Sequence, residues 1–192
     1  LGSGSACRST YGGLVIWGAH SAVPESSNFY GVPLRDTHEI FDTYQDSILL
    51  IDKGQKPVSS SMGHKLMIDH PYAEARFAQA RQNITLLKEV LTQGDLNEFN
   101  RIVESEALAL HAMMLTSNPY YILMRPNTLS AIERIWYFRA STNTPICFTL
   151  DAGANIHLLY PESEKEKVLP FIEEGLRPLC QDGDILYDYV SK

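Results

Sequence analysis

The sequence predicts an α+β fold in which helices pack on one face of a mainly antiparallel sheet. Two apolar runs, Cys147–Leu150 and Ile156–Tyr160, flank a short turn that contains an acid and small residues, and they indicate a strand, loop, strand unit. Apolar residues recur at helical spacing between positions 77 and 139. Strands separated by paired helices are typical of an α+β domain.

The first part of the chain predicts one strand followed by little regular structure. Residues 11–17 contain β-branched and aromatic side chains and predict a strand. Proline, glycine, serine and asparagine are frequent in residues 19–45, which predict an irregular excursion and a lobe boundary. Residues 47–52 form a short apolar run, and we interpret them as a buried strand.

The middle of the chain predicts two helices joined by a tight connection. The first helix should end at Gly94, and Asp95 with Glu98 has the spacing of a capping box, although Ser or Thr is usual at the cap. The two helices should form an αα-hairpin whose apolar faces cover the sheet. The apolar stripes consist of Phe77, Ala80, Ile84, Leu87 and Leu91 in the first helix, and of Phe99, Ile102, Val103, Leu110 and Met114 in the second. We interpret His111 and Met113, near the end of the second helix, as packing residues.

The last part of the chain predicts two more helices around the central strands. Asn127 or Thr128 is expected to cap a third helix that runs through Arg139. A fourth helix is expected over residues 162–174, and residues 185–187 are expected to close the sheet as its last strand.

The composition argues against several classes of protein. A net charge of −7 and a pI near 5.3 argue against nucleic-acid binding, because phosphate contacts require a basic surface. No apolar run approaches the roughly 20 residues of a membrane-spanning helix. Cys7, Cys147 and Cys180 are widely spaced and form no CxxC motif, which favours reduced thiols in a cytoplasmic protein and indicates no structural zinc.

Asp151 is the first candidate functional residue. It follows the strand Cys147–Leu150 directly, at the point where the sheet opens. Gly153 and Asn155 both tolerate the positive φ that a tight turn needs. A carboxylate here can take part in catalysis, or it can only cap the turn through an Asx hydrogen bond; this segment alone leaves both open.

The second candidate is a glycine/serine turn at residues 2–9. Backbone N–H groups, the hydroxyls of Ser3 and Ser5 and the guanidinium of Arg8 together can bind a phosphate or a carboxylate. The alternative is a flexible linker. The serine-rich loop around Ser60 is similarly ambiguous, since it can simply cap the next helix. The chain begins inside this motif without a Met, so we expect an N-terminal portion of the natural protein to be missing.

Together these motifs resemble the mevalonate diphosphate decarboxylase family of the GHMP kinase superfamily. The resemblance is carried by Ser-Gly-Ser-Ala-Cys-Arg-Ser at residues 3–9, by Tyr-Gly-Gly at residues 11–13 with Trp17, and by Phe-Thr-Leu-Asp-Ala-Gly at residues 148–153 with Asn155. The serine loop and the region of residues 113–121 also lie in the order and at the distances of the family.

The resemblance implies a division of the chain into two parts. Residues 1–45 would be a remnant of the N-terminal lobe, and residues 46–192 would be a GHMP-kinase-like C-terminal lobe. It also implies a small-molecule substrate, no nucleic-acid or membrane partner and a cytoplasmic location, and it leaves a homodimer open.

The resemblance further implies a reaction and roles for particular residues. The family uses ATP with Mg²⁺ to phosphorylate the tertiary hydroxyl of mevalonate 5-diphosphate, and loss of phosphate and carbon dioxide then gives isopentenyl diphosphate for isoprenoid biosynthesis. Asp151 would contact the tertiary hydroxyl, and Arg8 would hold the substrate carboxylate. The remaining substrate-binding residues would be Ser3, Ser5, Ser60 and Ala152.

The chain also departs from the family pattern. The family's nucleotide loop and an N-terminal lysine-bearing segment are not in this sequence, so we expect the isolated chain to turn over no ATP. His64 stands where many relatives have Met, and Ala154 stands where many have Pro, which would make the turn less rigid. The alternatives are a phosphomevalonate decarboxylase, a mevalonate 3-kinase-like relative, and a non-catalytic binding domain of the same fold.

Overall fold

A computed structural model of the chain describes residues 11–54 and 65–190, which form a small hairpin and a four-stranded sheet with its helices. The hairpin consists of β1 (Val15–Trp17) and β2 (Gly31–Pro33). The main sheet has the order β4-β5-β3-β6, and its neighbouring strands are all antiparallel. Its strands are β3 (Gln45–Leu49), β4 (Cys147–Leu150), β5 (Ile156–Tyr160) and β6 (Ile185–Tyr189).

The helices lie between the strands of the main sheet: three follow β3 and one follows β5. They are α1 (Ala73–Gln93), α2 (Leu96–Leu115), α3 (Pro126–Thr142) and α4 (Lys165–Phe171), and a π-helical turn, Ile172–Leu176, continues α4. The predicted α+β fold, the strand, loop, strand unit and the last strand are therefore confirmed.

Strand β3 differs from its prediction in position and in burial. It begins two residues earlier than expected, and its side chains alternate: Gln45, Ser47 and Leu49 are buried, whereas the two residues between them are half-buried. The reason is that the two residues between them lie on the less covered face of the sheet, whereas Gln45, Ser47 and Leu49 lie on the face that packs on the main core. Ser47 lies on that face, where its hydroxyl is within 3.0 Å of the Tyr160 hydroxyl.

The core lies between the covered face of the sheet and the helices α3 and α4. Phe148 on β4 and Leu158 on β5 are fully buried there and pack with Ile135 on α3 and with Val168 on α4. On the opposite face, His157 and Asp46 are half-buried and their side chains are 2.8 Å apart (Nδ1 to Oδ2). The prediction of helices on one face of the sheet is thus confirmed.

The predicted αα-hairpin is present, and its second helix makes most of the contact with the sheet. Helix α2 lies along β4, and α1 packs against α2. The cap between them follows the prediction, because Gly94 has a φ of 75° and Asp95 accepts from the N–H groups of Asn97 and Glu98. Glu98 itself pairs with Arg101 instead of completing a capping box.

The start of α3 differs from its prediction. The cap is Arg125, not Asn127 or Thr128, and Pro126 is the first helical residue. Proline suits that position because it lacks an N–H group that would be unpaired there in any case. Thr128 acts from inside the first turn, where its Oγ1 accepts from the Arg125 N–H at 3.1 Å.

The segment before β3 packs against α1 and α2. Phe41 and Tyr44 are buried with Leu91, Phe99 and Cys147 in a second apolar cluster. The division of the chain at residues 45 and 46 stays a prediction. Within the part of the chain that the structure describes, no helix is long and apolar enough to cross a membrane.

Candidate functional site

Asp151 lies at the exposed end of β4, where the chain enters the turn that leads to β5. The turn begins with a backbone hydrogen bond from the Gly153 N–H to the Asp151 carbonyl oxygen, at 2.8 Å. The prediction of positive φ in this turn is wrong, since neither Gly153 nor Asn155 is among the residues with positive φ. Side chains from other elements hold the turn instead.

His111 on α2 holds the first residue of the turn. Its Nε2 lies 3.1 Å from the Asp151 carbonyl oxygen, and only 2% of its surface is exposed. Burial lowers the pKa of His111, and the hydrogen bond to the Asp151 carbonyl opposes that shift without cancelling it. The burial of His111 agrees with its interpretation as a packing residue, but its polar contact is with the candidate site.

The last residues of the turn are held by α3 and by the segment after β3. Thr128 is fully buried and donates from Oγ1 to the Ala154 carbonyl oxygen at 2.7 Å. The Asn155 side chain accepts from the Asp52 N–H at 3.0 Å. Three separate elements therefore fix the five residues between β4 and β5.

The residues that precede the serine loop are fixed beside this turn. Asp52, whose N–H contacts Asn155, also accepts from the Arg125 Nε at 2.8 Å. The hydrogen bond from the Gly54 N–H and, to a smaller extent, the one from the Arg125 side chain lower the pKa of the Asp52 carboxyl. Lys53 pairs with Asp182 at 2.9 Å.

The residues that follow the serine loop are also close to the turn. Leu66 is buried in a cluster with Met113, Met114 and Leu123, and Ala152 is partly buried against the same cluster. Both ends of the segment that contains Ser60 are therefore anchored next to the residues that carry Asp151.

The structure brings together only part of the predicted site. Asp151 and Ala152 are adjacent in the turn, and Asp151 is exposed whereas Ala152 is half-buried. Ser3, Ser5, Arg8 and Ser60 lie outside the residues that the structure describes, as does His64. Their roles stay predictions.

No cluster of three or more His, Cys, Asp or Glu side chains within residues 11–54 and 65–190 could hold a metal ion. The groove along the outer side of α2 has a volume of about 650 Å³ and is lined by Asn100, Glu104 and Arg139 among others, but not by Asp151. Asp151 is exposed and does not line that groove.

Sequence reasoning missed His111, Thr128 and Asn155 as residues that support the site. Each acts through a backbone group that is far away in sequence, by 40, 26 and 103 residues respectively. No local pattern reports such a pairing.

Known proteins resemble this chain in sequence and in structure. Diphosphomevalonate decarboxylase from Candida albicans is 24% identical over 173 residues, which are 89% of this chain and 47% of the relative. Phosphomevalonate decarboxylase from Haloferax volcanii is 22% identical over 109 residues, or 57% of this chain and 34% of the relative. The chain spans about half the length, or less, of the curated relatives that it matches.

Among solved structures, one described as MDDEF in complex with MVAPP, AMPPCP and magnesium superposes with a TM-score of 0.83. It is 24% identical to this chain, and the match covers 98% of this chain and 55% of that one. This likeness supports the fold described above.

A family model fixes the membership of the chain. The model of the mevalonate 5-diphosphate decarboxylase C-terminal domain matches residues 47–188, a span that begins within β3 and ends within β6. It therefore includes the whole helical layer and the turn with Asp151. The chain belongs to the mevalonate 5-diphosphate decarboxylase C-terminal domain family.

Proposed function

We propose that the complete protein containing this chain catalyses the ATP-dependent decarboxylation of mevalonate 5-diphosphate to isopentenyl diphosphate. One observation carries the proposal: an exposed acid, Asp151, stands on a turn that three elements hold, beside both anchored ends of the serine loop. The family membership and the relatives named diphosphomevalonate decarboxylase support the same reaction.

Asp151 would orient the tertiary hydroxyl of the substrate and accept its proton. A tertiary alcohol is a crowded nucleophile, so a carboxylate within hydrogen-bond reach helps it to attack the terminal phosphoryl group of ATP. This role requires a side chain that reaches the cleft and a backbone that does not move. Asp151 is exposed at the end of β4, and hydrogen bonds to its carbonyl oxygen hold its backbone.

Arg8 and the serines would hold the charged parts of the substrate. The planar guanidinium of Arg8 matches the two oxygens of a carboxylate, and this would align the group that leaves as carbon dioxide. Ser3, Ser5 and Ser60 would donate hydrogen bonds to negatively charged oxygens, and Ala152 would line the site beside the acid. The anchored ends of the serine loop support this role for Ser60.

ATP and Mg²⁺ would bind mainly to other parts of the complete protein. The related structure contains AMPPCP, an analogue of ATP, and magnesium. The described part of this chain has no acidic cluster that fits a metal ion. The roles proposed for this chain concern the substrate, and the isolated chain should release no carbon dioxide when it is mixed with ATP and substrate.

The test compares the complete parent protein with its Asp151→Asn variant. Asparagine has nearly the same volume and keeps a side-chain oxygen, but it cannot accept a proton. We expect turnover to fall by about 10²- to 10⁴-fold with the melting temperature nearly unchanged. Substantial activity in the variant would mean that Asp151 only caps the turn.

The choice of substrate separates the alternatives. The Haloferax volcanii relative is named for phosphomevalonate, so mevalonate 5-phosphate is the second candidate substrate. Carbon dioxide release should be measured with mevalonate 5-diphosphate, with mevalonate 5-phosphate and with mevalonate. A phosphorylated product without carbon dioxide would indicate a 3-kinase, and no ATP turnover with any of the three would indicate a non-catalytic binding domain.

A cytoplasmic location and a possible homodimer belong to the same proposal. Cys147 and Cys180 are buried free thiols, which supports a reducing compartment. Cell fractionation and analytical ultracentrifugation would test the two statements.

A further inference from the structure

His111 is the buried polar residue that connects the helical layer to the candidate acid. It lies on α2, 40 residues before Asp151, and is 2% exposed. The residues buried beside it near the end of α2, such as Met113 and Met114, are apolar. A buried imidazole at this position therefore has a cost that its one hydrogen bond must offset.

The geometry shows which nitrogen of the ring donates. A carbonyl oxygen can only accept a hydrogen bond, so the Nε2 that lies 3.1 Å from the Asp151 oxygen carries the hydrogen. Burial lowers the pKa of His111 and so favours the neutral form of the ring. A neutral ring that donates from Nε2 fixes the backbone of Asp151 and adds no charge next to its carboxylate.

The hydrogen bond from His111 connects the start of the turn to another element of the fold. The Asp151 carbonyl accepts one further backbone bond, from Gly153, and that bond is internal to the turn. Thr128 and Asn155 hold only the far end of the turn. His111 thus ties the acid-bearing end of the turn to the helical layer.

We propose that His111 is a positioning residue, which sets the place of the Asp151 carboxylate by donating from Nε2 to the Asp151 carbonyl oxygen. The inference rests on the proposed function, because it assigns His111 a part in the same reaction. His111 does not touch the substrate, and it acts only through the backbone of Asp151.

The test uses two substitutions of His111 in the complete protein. His111→Gln keeps an N–H donor at similar reach, whereas His111→Phe fills the space and has no donor. A catalytic group that is displaced by about 1 Å can lose about 100-fold in rate, so kcat should fall by about that factor in His111→Phe with little change in KM. In His111→Gln, kcat should stay within about tenfold of the parent, which corresponds to 1.4 kcal/mol.

A matched control removes a different hydrogen bond of the helical layer, one made by a buried side chain. Asn83 on α1 is buried and donates from Nδ2 to the Glu106 Oε1 on α2 at 2.6 Å, away from the turn. Asn83→Leu should lower the melting temperature and leave kcat unchanged. If Asn83→Leu lost kcat as His111→Phe does, general destabilisation would explain the effect and the inference would be wrong.

A second measurement, hydrogen exchange at the turn, does not depend on enzymatic activity. The Gly153 N–H donates to the same carbonyl oxygen as His111, so its hydrogen exchange reports the order of the turn. Exchange at Gly153 should be faster in His111→Phe than in the parent, in His111→Gln and in Asn83→Leu. If His111→Phe does not fold, His111→Leu serves the same purpose, because leucine also lacks a donor and is smaller.

The outcomes separate the two claims. An inactive parent would refute the proposed function, and exchange at Gly153 would still test His111. An active parent with equal kcat and equal Gly153 exchange in His111→Phe would refute the positioning role and leave the proposed function intact.

Discussion

Replacement of Thr128 by valine tests how the turn that carries Asp151 is held. Valine has the shape of threonine without the hydroxyl, so Thr128→Val keeps the packing of a fully buried residue. It removes the 2.7 Å bond to the Ala154 carbonyl oxygen and the 3.1 Å bond from the Arg125 N–H. The change is therefore confined to hydrogen bonding.

The size of the effect follows from burial. Ala154 is 7% exposed, so water cannot readily replace Thr128 as the hydrogen-bond partner of its carbonyl oxygen. A buried group that loses its hydrogen bond costs about 1–3 kcal/mol. A loss of about 2 kcal/mol lowers the melting temperature of a protein of this size by about 4–8 °C.

Thermal unfolding followed by circular dichroism measures this effect. The control is Thr85→Val, because Thr85 is exposed on α1 and its hydroxyl makes only a 3.4 Å contact with the Arg81 carbonyl oxygen. The control should change stability by less than about 0.5 kcal/mol. If Thr128→Val melted within about 1 °C of the parent, a shift worth well under 1 kcal/mol, Thr128 would not hold the turn.

Three further predictions concern pH, a partly buried ion pair and the substrate clamp. Burial lowers the folded-state pKa of His111, so its contribution to stability is complete above a pH of about 6.5 and is lost as the pH falls below it, and urea midpoints of the parent should fall more from about pH 7.5 to 5.5 than those of His111→Gln. Glu104→Ala should cost about 2 kcal/mol in urea unfolding, since it removes the buried carboxylate that accepts from the half-buried Arg139, whereas the exposed pair of Glu98 should contribute less than about 1 kcal/mol by the same assay on Glu98→Ala. Arg8→Lys should reduce steady-state turnover by more than about tenfold without loss of folding, and a reduction of less than about twofold would make Arg8 a structural residue.

The fold was predictable from the sequence wherever the signal was local. Gly94 and Asp95 mark the end of one helix and the start of the next, and the structure places the caps at these residues. The helix start at Pro126 was misplaced, because Thr128 has the chemistry of a cap and works from the third position of the helix. The alternation of burial along β3 was also missed, since an apolar run does not reveal which face of a strand packs on the core.

The candidate site was predictable only in part, for a related physical reason. Asp151 could be found because it follows an apolar strand directly and precedes small residues. The residues that hold it could not, because the bonds from His111 and Thr128 go to backbone oxygens, and every residue has such an oxygen. A side chain that recognises a backbone group leaves no complementary residue in the sequence to be noticed.

The same bonds bear on the alanine at position 154. Ala154 stands where proline would restrict the backbone of the turn, and alanine by itself permits more conformations. The Ala154 carbonyl oxygen nevertheless accepts a hydrogen bond from Thr128, and the side chain of Asn155, the next residue, accepts one from the Asp52 N–H. The order of this turn therefore comes from tertiary contacts, so substitutions on α2 and α3 should affect the placement of Asp151 as strongly as substitutions within the turn itself.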